Sequence, residues 1–293
     1  MTGASTANAQ RRLCVDGEFA KAHQALDPTA IDHRLAGHPL LTLEAIADLA
    51  DRLPRTSILC DTADQPLIVA SGPARGSVAH PGDVIRHLDT RRSWLTLLNI
   101  EQQPPYRELM DACLDDVAAM VERRPGDMRR RAGFIFVSSP LSVTPAHFDL
   151  EHSLLLQISG QKQVTVGRFA TQETRHGERE RYWSGSLGRV KDLPIAIATH
   201  DLVPGRGVYL PPICPHWVHN GDEVSVSMTL TYFTRDSERE LFVEAFNARL
   251  RQLHLHPRPP GSSQAVDGAK ASAMRLWGMR HRLLRRQQPS SHG

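Results

Sequence analysis

Hydrophobic positions follow a helical period at both ends of the chain and alternate in its middle. In "TLEAIADLADRLP", Leu43, Ile46, Leu49 and Leu53 share one helical face, with Thr42 placed to cap the run and Pro54 to stop it. A longer stripe follows in "PPYRELMDACLDDVAAMVERRPG", through Tyr106, Leu109, Met110, Cys113, Leu114, Val117, Met120 and Val121. Pro104 and Pro105 open it, and Pro125 and Gly126 close it. Region 1–132 therefore reads as helical with short extended pieces, packed on what comes after it.

From Gly133 to about Thr234 the period changes to two. "FIFVSS" is a short β run. In "LLLQISGQKQVTV", Leu154, Leu156, Ile158, Lys162, Val164 and Val166 alternate with Gln157, Ser159, Gln161, Gln163 and Thr165 about a turn at Ser159-Gly160. "EVSVSMTLTYF" sets Val224, Val226, Met228, Leu230 and Tyr232 against Ser225, Ser227, Thr229 and Thr231. The hydroxyl face suits either a pocket wall or the solvent side of an edge strand. Several short strands with Gly and Pro turns, and no helices between them, predict a mainly β core over 133–235: a double-stranded β-helix, or jelly roll, with flanking helices. Helical spacing returns over 236–256 through Leu241, Phe242, Ala245, Phe246, Leu250 and Leu253. In the tail 257–293, "HPRPPGSSQAVDG" reads as a linker and "AKASAMRLWGMRHRLLRR" as a basic amphipathic helix.

Composition adds exclusions. The 293 residues carry a formal charge of only +3, too near neutral to argue for nucleic acid by itself. From Arg249 onward, however, nine basic residues face the single acid Asp267. That tail suits contact with nucleic acid or an anionic membrane surface, or is a solvated extension. Cys14, Cys60, Cys113 and Cys214 are widely spaced without a C-x-x-C pair, which indicates reduced thiols and neither a zinc cluster nor a disulfide framework. With no apolar leader and no run near the ~20 residues of a membrane span, a cytoplasmic location is expected.

The candidate chemistry lies in "TPAHFDLEHSLLLQISGQK". His147 and Asp149, two apart, point to one side of an extended strand and suit two ligands on one metal. A third ligand comes from a distant strand, and "LPPICPHWVHN" offers His216 or His219. Two imidazoles and a carboxylate on one face of an octahedron leave positions open for a cosubstrate and O₂, the arrangement of non-haem Fe(II) sites. Lys162 sits in the apolar register of its strand, where a lone ammonium is costly. Its partner is the far carboxylate of a bound dicarboxylic acid or a protein Asp or Glu; alternatively, the turn at Gly160 flips the register and exposes it.

Taken jointly, "TPAHFD", "LLLQISGQK" and "LVPGRGVYLPPICPHWV" resemble the cupin-like, JmjC-type 2-oxoglutarate oxygenases, which include an asparaginyl hydroxylase and bacterial cupin-like proteins. The resemblance spans roughly Phe134 to Thr234, about a third of the chain. It implies Fe(II) held by His147, Asp149 and His216, and 2-oxoglutarate held by Lys162 and the Thr144 hydroxyl, with Ser153 and Thr231 as further polar pocket residues. The implied activity is hydroxylation of a C–H bond, of a peptide or protein side chain ahead of a small molecule, with 2-oxoglutarate decarboxylated to succinate. The alternatives are a non-catalytic cupin-like binding protein and a cupin enzyme that does not use 2-oxoglutarate. Lys162 separates them, since only the first needs a fixed cation opposite the metal. The resemblance also implies homodimer contacts through the C-terminal helices, where Met274, Leu276, Trp277, Leu283 and Leu284 offer an apolar face. Two departures, Arg206 after Gly205 and Cys214-Pro215 in place of an aromatic pair, leave the triad intact but alter the mouth of the pocket.

Overall fold

The computed structural model of the protein describes residues 11–69 and 78–287. Its strands run β1 (Leu13–Cys14), β2 (Thr29–His33), β3 (Ile58–Thr62), β4 (Ser93–Leu98), β5 (Arg129–Ser138), β6 (Val143–His147), β7 (His152–Ser159), β8 (Lys162–Arg168), β9 (Ile195–Leu202), β10 (Arg206–Leu210), β11 (His216–Asn220) and β12 (Ser225–Phe233). They form two antiparallel sheets. The major sheet has the order β1-β2-β10-β7-β12-β5-β4-β3 and the minor sheet β6-β11-β8-β9. From β5 to β12 the chain alternates between the two sheets at every step but the β8–β9 hairpin, as in a jelly roll.

The helices of this unit are α1 (Gly17–Ala25), α2 (Leu43–Arg52), α3 (Pro81–Arg86), α4 (Pro104–Val121) and α5 (Gln172–Arg181). Thr42 caps α2 by accepting the Ala45 N–H at 3.2 Å, and Pro104 opens α4, as the sequence indicates. Their stripes pack on the outer face of the major sheet, where Ile46, Leu49, Cys113, Leu114 and Val117 join Ile135, Val137, Leu154, Leu156, Met228 and Leu230 in one core. Region 1–132 is more than a helical cover. Its short extended pieces are β1 to β4, which flank both sides of the jelly-roll strands in the major sheet.

The even positions of "LLLQISGQKQVTV" do not share a single face. Leu154, Leu156 and Ile158 enter the core under the helices, whereas Val164 and Val166 enter a second cluster between the sheets, with Leu155, Val208 and Leu210. Gly160 makes this possible with φ +68; a Cβ there would lie 2.4 Å from the Val224 carbonyl oxygen. The turn therefore changes sheets without exposing Lys162, which is 6% exposed. β12, centrally placed between β5 and β7, is buried along its whole length, so its Ser/Thr face is not a solvent face.

A second compact unit begins at Thr234. Thr234 and Ser237 form a reciprocal capping box that starts α6 (Arg235–Gln252). The tail helix α7 (Gln264–Gln287) begins inside the expected linker and packs against α6. Lys270 donates to Asn247 at 2.8 Å, and the Arg249 guanidinium lies 3.9 Å from the Trp277 ring centre. The side chains of Leu283 and Leu284 lie outside the described residues. Among the described residues no helix is long and apolar enough to cross a membrane.

Candidate metal centre

β6 carries a bulge: Thr144 pairs with Val218 and His147 with His216, so three residue steps on β6 span two on β11. The bulge turns both Thr144 and His147 toward the space between the sheets and Ala146 away from it, into a third apolar cluster with Phe148 and Trp217. His147 ends the strand. Phe148 points outward, fully buried, and Asp149 returns to the inner side. The Asp149 carbonyl accepts the Ile213 N–H at 2.7 Å, which ties the first two candidate ligands to the Pro211–Pro215 loop that delivers His216.

Ligand atoms of His147, Asp149 and His216 all lie within 4.8 Å of one another. Both imidazoles are held by the chain itself. His147 Nδ1 faces the Pro145 carbonyl at 2.9 Å and His216 Nδ1 the Cys214 carbonyl at 3.0 Å. A carbonyl oxygen only accepts, so each Nδ1 carries the proton and each Nε2 presents a bare lone pair to the shared space. Burial, with His216 and Arg189 close by, pushes the His147 pKa well down and keeps that ring neutral. His216 Nε2 is 3.9 Å from Asp149 Oδ2, beyond hydrogen-bond reach. Two imidazoles and a carboxyl group whose ligand atoms do not satisfy one another fit a divalent metal ion. His219, the competing candidate, lies in the alternate register of β11 and does not line the cavity.

The triad opens on a cavity of about 290 Å³ between the sheets. Lys162, Thr144, Ser153 and Thr231 all line it, together with Thr229. Ser153 and Thr231 are register partners on β7 and β12, and the buried Ser153 hydroxyl finds no hydrogen-bond partner in the protein. Among the described residues no carboxylate lies within ion-pair distance of Lys162; burial alone pushes its pKa down to about 7. Lys162 is thus buried in the cavity wall, and much of the rest of that wall comes from residues that no local pattern in the chain singles out. Glu151, whose pKa burial and Asp149 push up to about 7, and Tyr182, Arg189 and Trp94 also face the cavity. Arg189 donates to the same Pro145 carbonyl that orients His147, at 2.8 Å. Trp94 is buried and lines the cavity, as does Tyr182, whereas the neighbouring Trp183 does not. His152 is buried on the opposite face of β7, stacked on His23 and Tyr232.

The fold is a double-stranded β-helix with a two-histidine, one-carboxylate cluster at its open end. Solved structures of a ribosomal oxygenase from Escherichia coli, YcfD, share this fold. One matches at TM-score 0.52 and 15% identity over 95% of this chain and 68% of that one. A second, in complex with cobalt and 2-oxoglutarate, matches at TM-score 0.51 and 17% identity over 91% and 67%. A third, with cobalt and succinic acid, matches at TM-score 0.51 and 16% identity over 96% and 69%. No protein-family model and no curated protein sequence matches the chain.

Proposed function

We propose that the protein is an Fe(II)- and 2-oxoglutarate-dependent oxygenase that hydroxylates a C–H bond of a peptide or protein side chain. The observation that carries this reading is Lys162: a buried, unpaired cation facing the same cavity as a His-Asp-His cluster. A cupin that merely held a metal has no use for that charge, whereas a dicarboxylate bound at the metal needs it. Similarity to an oxygenase crystallised with cobalt and 2-oxoglutarate supports the cosubstrate, and its description as ribosomal supports a protein substrate.

In this reading His147, Asp149 and His216 hold the metal through two Nε2 atoms and a carboxylate oxygen. Lys162 receives the far carboxylate of 2-oxoglutarate, with the Thr144, Ser153 and Thr231 hydroxyls as neutral donors around it. When bound, Fe(II) with 2-oxoglutarate and O₂ supplies the oxidising chemistry, yielding succinate, CO₂ and a hydroxylated product. The chain's contribution is placement and exclusion. The two backbone carbonyls fix the imidazole tautomers, and Leu155, Leu210 and Val218 keep water from the region between Lys162 and the triad.

The direct test is anaerobic addition of Fe(II) and then 2-oxoglutarate, followed by visible spectroscopy for the charge-transfer band of the chelate. A band is expected with the wild-type chain and none with His147→Ala. A wild-type chain that chelates no 2-oxoglutarate sinks the reading.

A further inference from the structure

The charges around the cavity are unevenly placed. Asp149, Glu151, Lys162 and Arg189 come from the minor sheet and the loops beside it, whereas the wall beyond the triad is built by β3, β4 and β5 and carries no charge. Strand order explains the division. The minor sheet has four strands and the major sheet eight; with β9 approaching β10, β6 falls over β5, and β4 and β3 overhang the end of the minor sheet. Lys162 on β8 and the triad on β6 and β11 leave that overhang as the half of the cavity a cosubstrate tied to Lys162 does not fill.

The overhang is walled by Leu59, Trp94, Leu98, Phe134 and Phe136. Phe134 and Phe136 belong to an interior strand hydrogen-bonded on both sides, yet both rings stay partly exposed while Ile135 between them and Val137 after them are fully buried. Leu59 and Leu98 are likewise half-buried. Apolar surface left open in a concavity is stabilised once an apolar group covers it and releases its water. The polar groups of this wall are neutral: the Thr96 and Ser138 hydroxyls, and the Trp94 indole N–H, which is buried without an acceptor. Asp61, two residues along β3 from Leu59, does not line the cavity; it accepts from the Thr62 and Gln65 N–H groups, and its charge is set against the nearby Arg189 guanidinium. Glu151, the remaining carboxylate, lies beside Asp149 at the metal end and accepts the Leu150 N–H at 3.0 Å.

We infer that the substrate group admitted beside the metal is an uncharged, largely apolar or aromatic side chain, and that the β3–β5 wall selects it. A guanidinium, ammonium or carboxylate placed there meets five apolar side chains and no counter-charge, so it loses its hydration without replacement. This inference rests on the reading of the triad and Lys162 as a metal and 2-oxoglutarate site.

The test starts from the anaerobic Fe(II)–2-oxoglutarate complex of the full chain and titrates in the N-acetyl amides of leucine, phenylalanine, arginine, lysine and glutamate, following perturbation of the chelate band. The leucine and phenylalanine amides are expected to act at concentrations at least about tenfold below the charged ones. With Phe136→Glu, the order of the leucine and arginine amides is expected to reverse on whatever chelate band that variant forms. A wild-type band perturbed most readily by a charged amide, or by none up to the solubility limit, overturns the inference. Absence of the band is a different result, and it removes the oxygenase reading itself. The wild-type ranking decides the matter even where the glutamate variant does not fold.

Discussion

At the scale of single residues, Lys162 gives the sharpest pH behaviour. Burial lowers its pKa to about 7 in the free protein, and a carboxylate bound against it raises the value again, so 2-oxoglutarate binding draws in a proton. Affinity is therefore full below pH 7 and falls by up to about tenfold per unit as the pH rises above it. Isothermal titration at pH 6.5, 7.5 and 8.5 in buffers of different ionisation enthalpy checks both the slope and the proton uptake. Lys162→Met is expected to weaken binding and flatten the profile; an equally steep profile in that variant places the titrating group elsewhere. His152 provides a contrast. One sequence position from Ser153, it is as conspicuous in the chain as His147, but it stacks 4.8 Å from His23 and 5.1 Å from Tyr232, on the far side of the sheet. His152→Ala is expected to cost about 2–4 kcal/mol of unfolding free energy, as a large-to-small core change does, and to leave the Fe(II)–2-oxoglutarate band in place. Loss of the band at full stability reverses the assignment of the two histidines.

At the scale of elements, the site depends on one close crossing. The segment after α5 passes over the end of β6, where Arg189 bridges to His147 and the Gly188 carbonyl accepts the Phe148 N–H at 3.1 Å. Gly188 has φ +88, and a Cβ there would lie 2.2 Å from the Phe148 carbonyl oxygen, between the two candidate ligands of "HFD". Gly188→Ala is expected to cost roughly 1–3 kcal/mol from backbone strain alone, with the clash in addition, and to weaken metal binding because Phe148 has to move. Gly177, exposed within α5 with open space around it, is the control: Gly177→Ala is expected to leave metal affinity unchanged. Equal effects of the two substitutions on metal affinity contradict this account.

The same crossing shows what the sequence could and could not reveal. His147, Asp149 and Lys162 stood out because one short continuous segment carries them, and His216 because it follows a Pro-rich turn as in the oxygenases the segment resembles. Arg189, Glu151 and Tyr182 were not, since they reach the cavity through loops whose paths no local period encodes. The N-terminal strands were hidden for other reasons. β1 has two residues, and β4 is buried on both faces, so "SWLTLL" shows no alternation to set it apart from its helical surroundings. With β3 and β4 unread, the wall that carries Trp94 and Leu59 could not be assigned to the cavity. The single face drawn through Leu154 and Val166 failed because a left-handed glycine turn moves the chain from one sheet to the other, and this preserves the period while exchanging the cores.

For the whole molecule, the His23–His152 cluster sets an acid limit on stability. It joins α1 to the major sheet through Phe19, Tyr209 and Tyr232, and neither the His23 Nε2 nor the Tyr232 hydroxyl has a hydrogen-bond partner. Burial lowers the His23 pKa to about 4; burial, together with His23, lowers that of His152 to about 3. Between the ordinary value of 6.5 and these values the unfolded chain binds more protons than the folded one. The stability associated with two neutral rings is thus complete above pH 6.5 and is lost as the pH falls toward 4, at up to about 1.4 kcal/mol per unit for each histidine. Urea midpoints measured between pH 7.5 and 4.5 are expected to fall on this slope with little change in m, and His152→Phe to make the slope shallower. A flat wild-type profile removes the cluster as the cause. Cosubstrate affinity that declines above pH 7 and stability that declines below 6.5 act from opposite sides, so the cosubstrate-loaded fold is expected to be most populated between them. Adding Mn(II) with 2-oxoglutarate at a hundred times its dissociation constant is expected to raise the unfolding free energy by about 2.7 kcal/mol at pH 7, and by less at pH 8.5 for the same concentrations. An increment independent of pH contradicts the link between Lys162 and the cosubstrate.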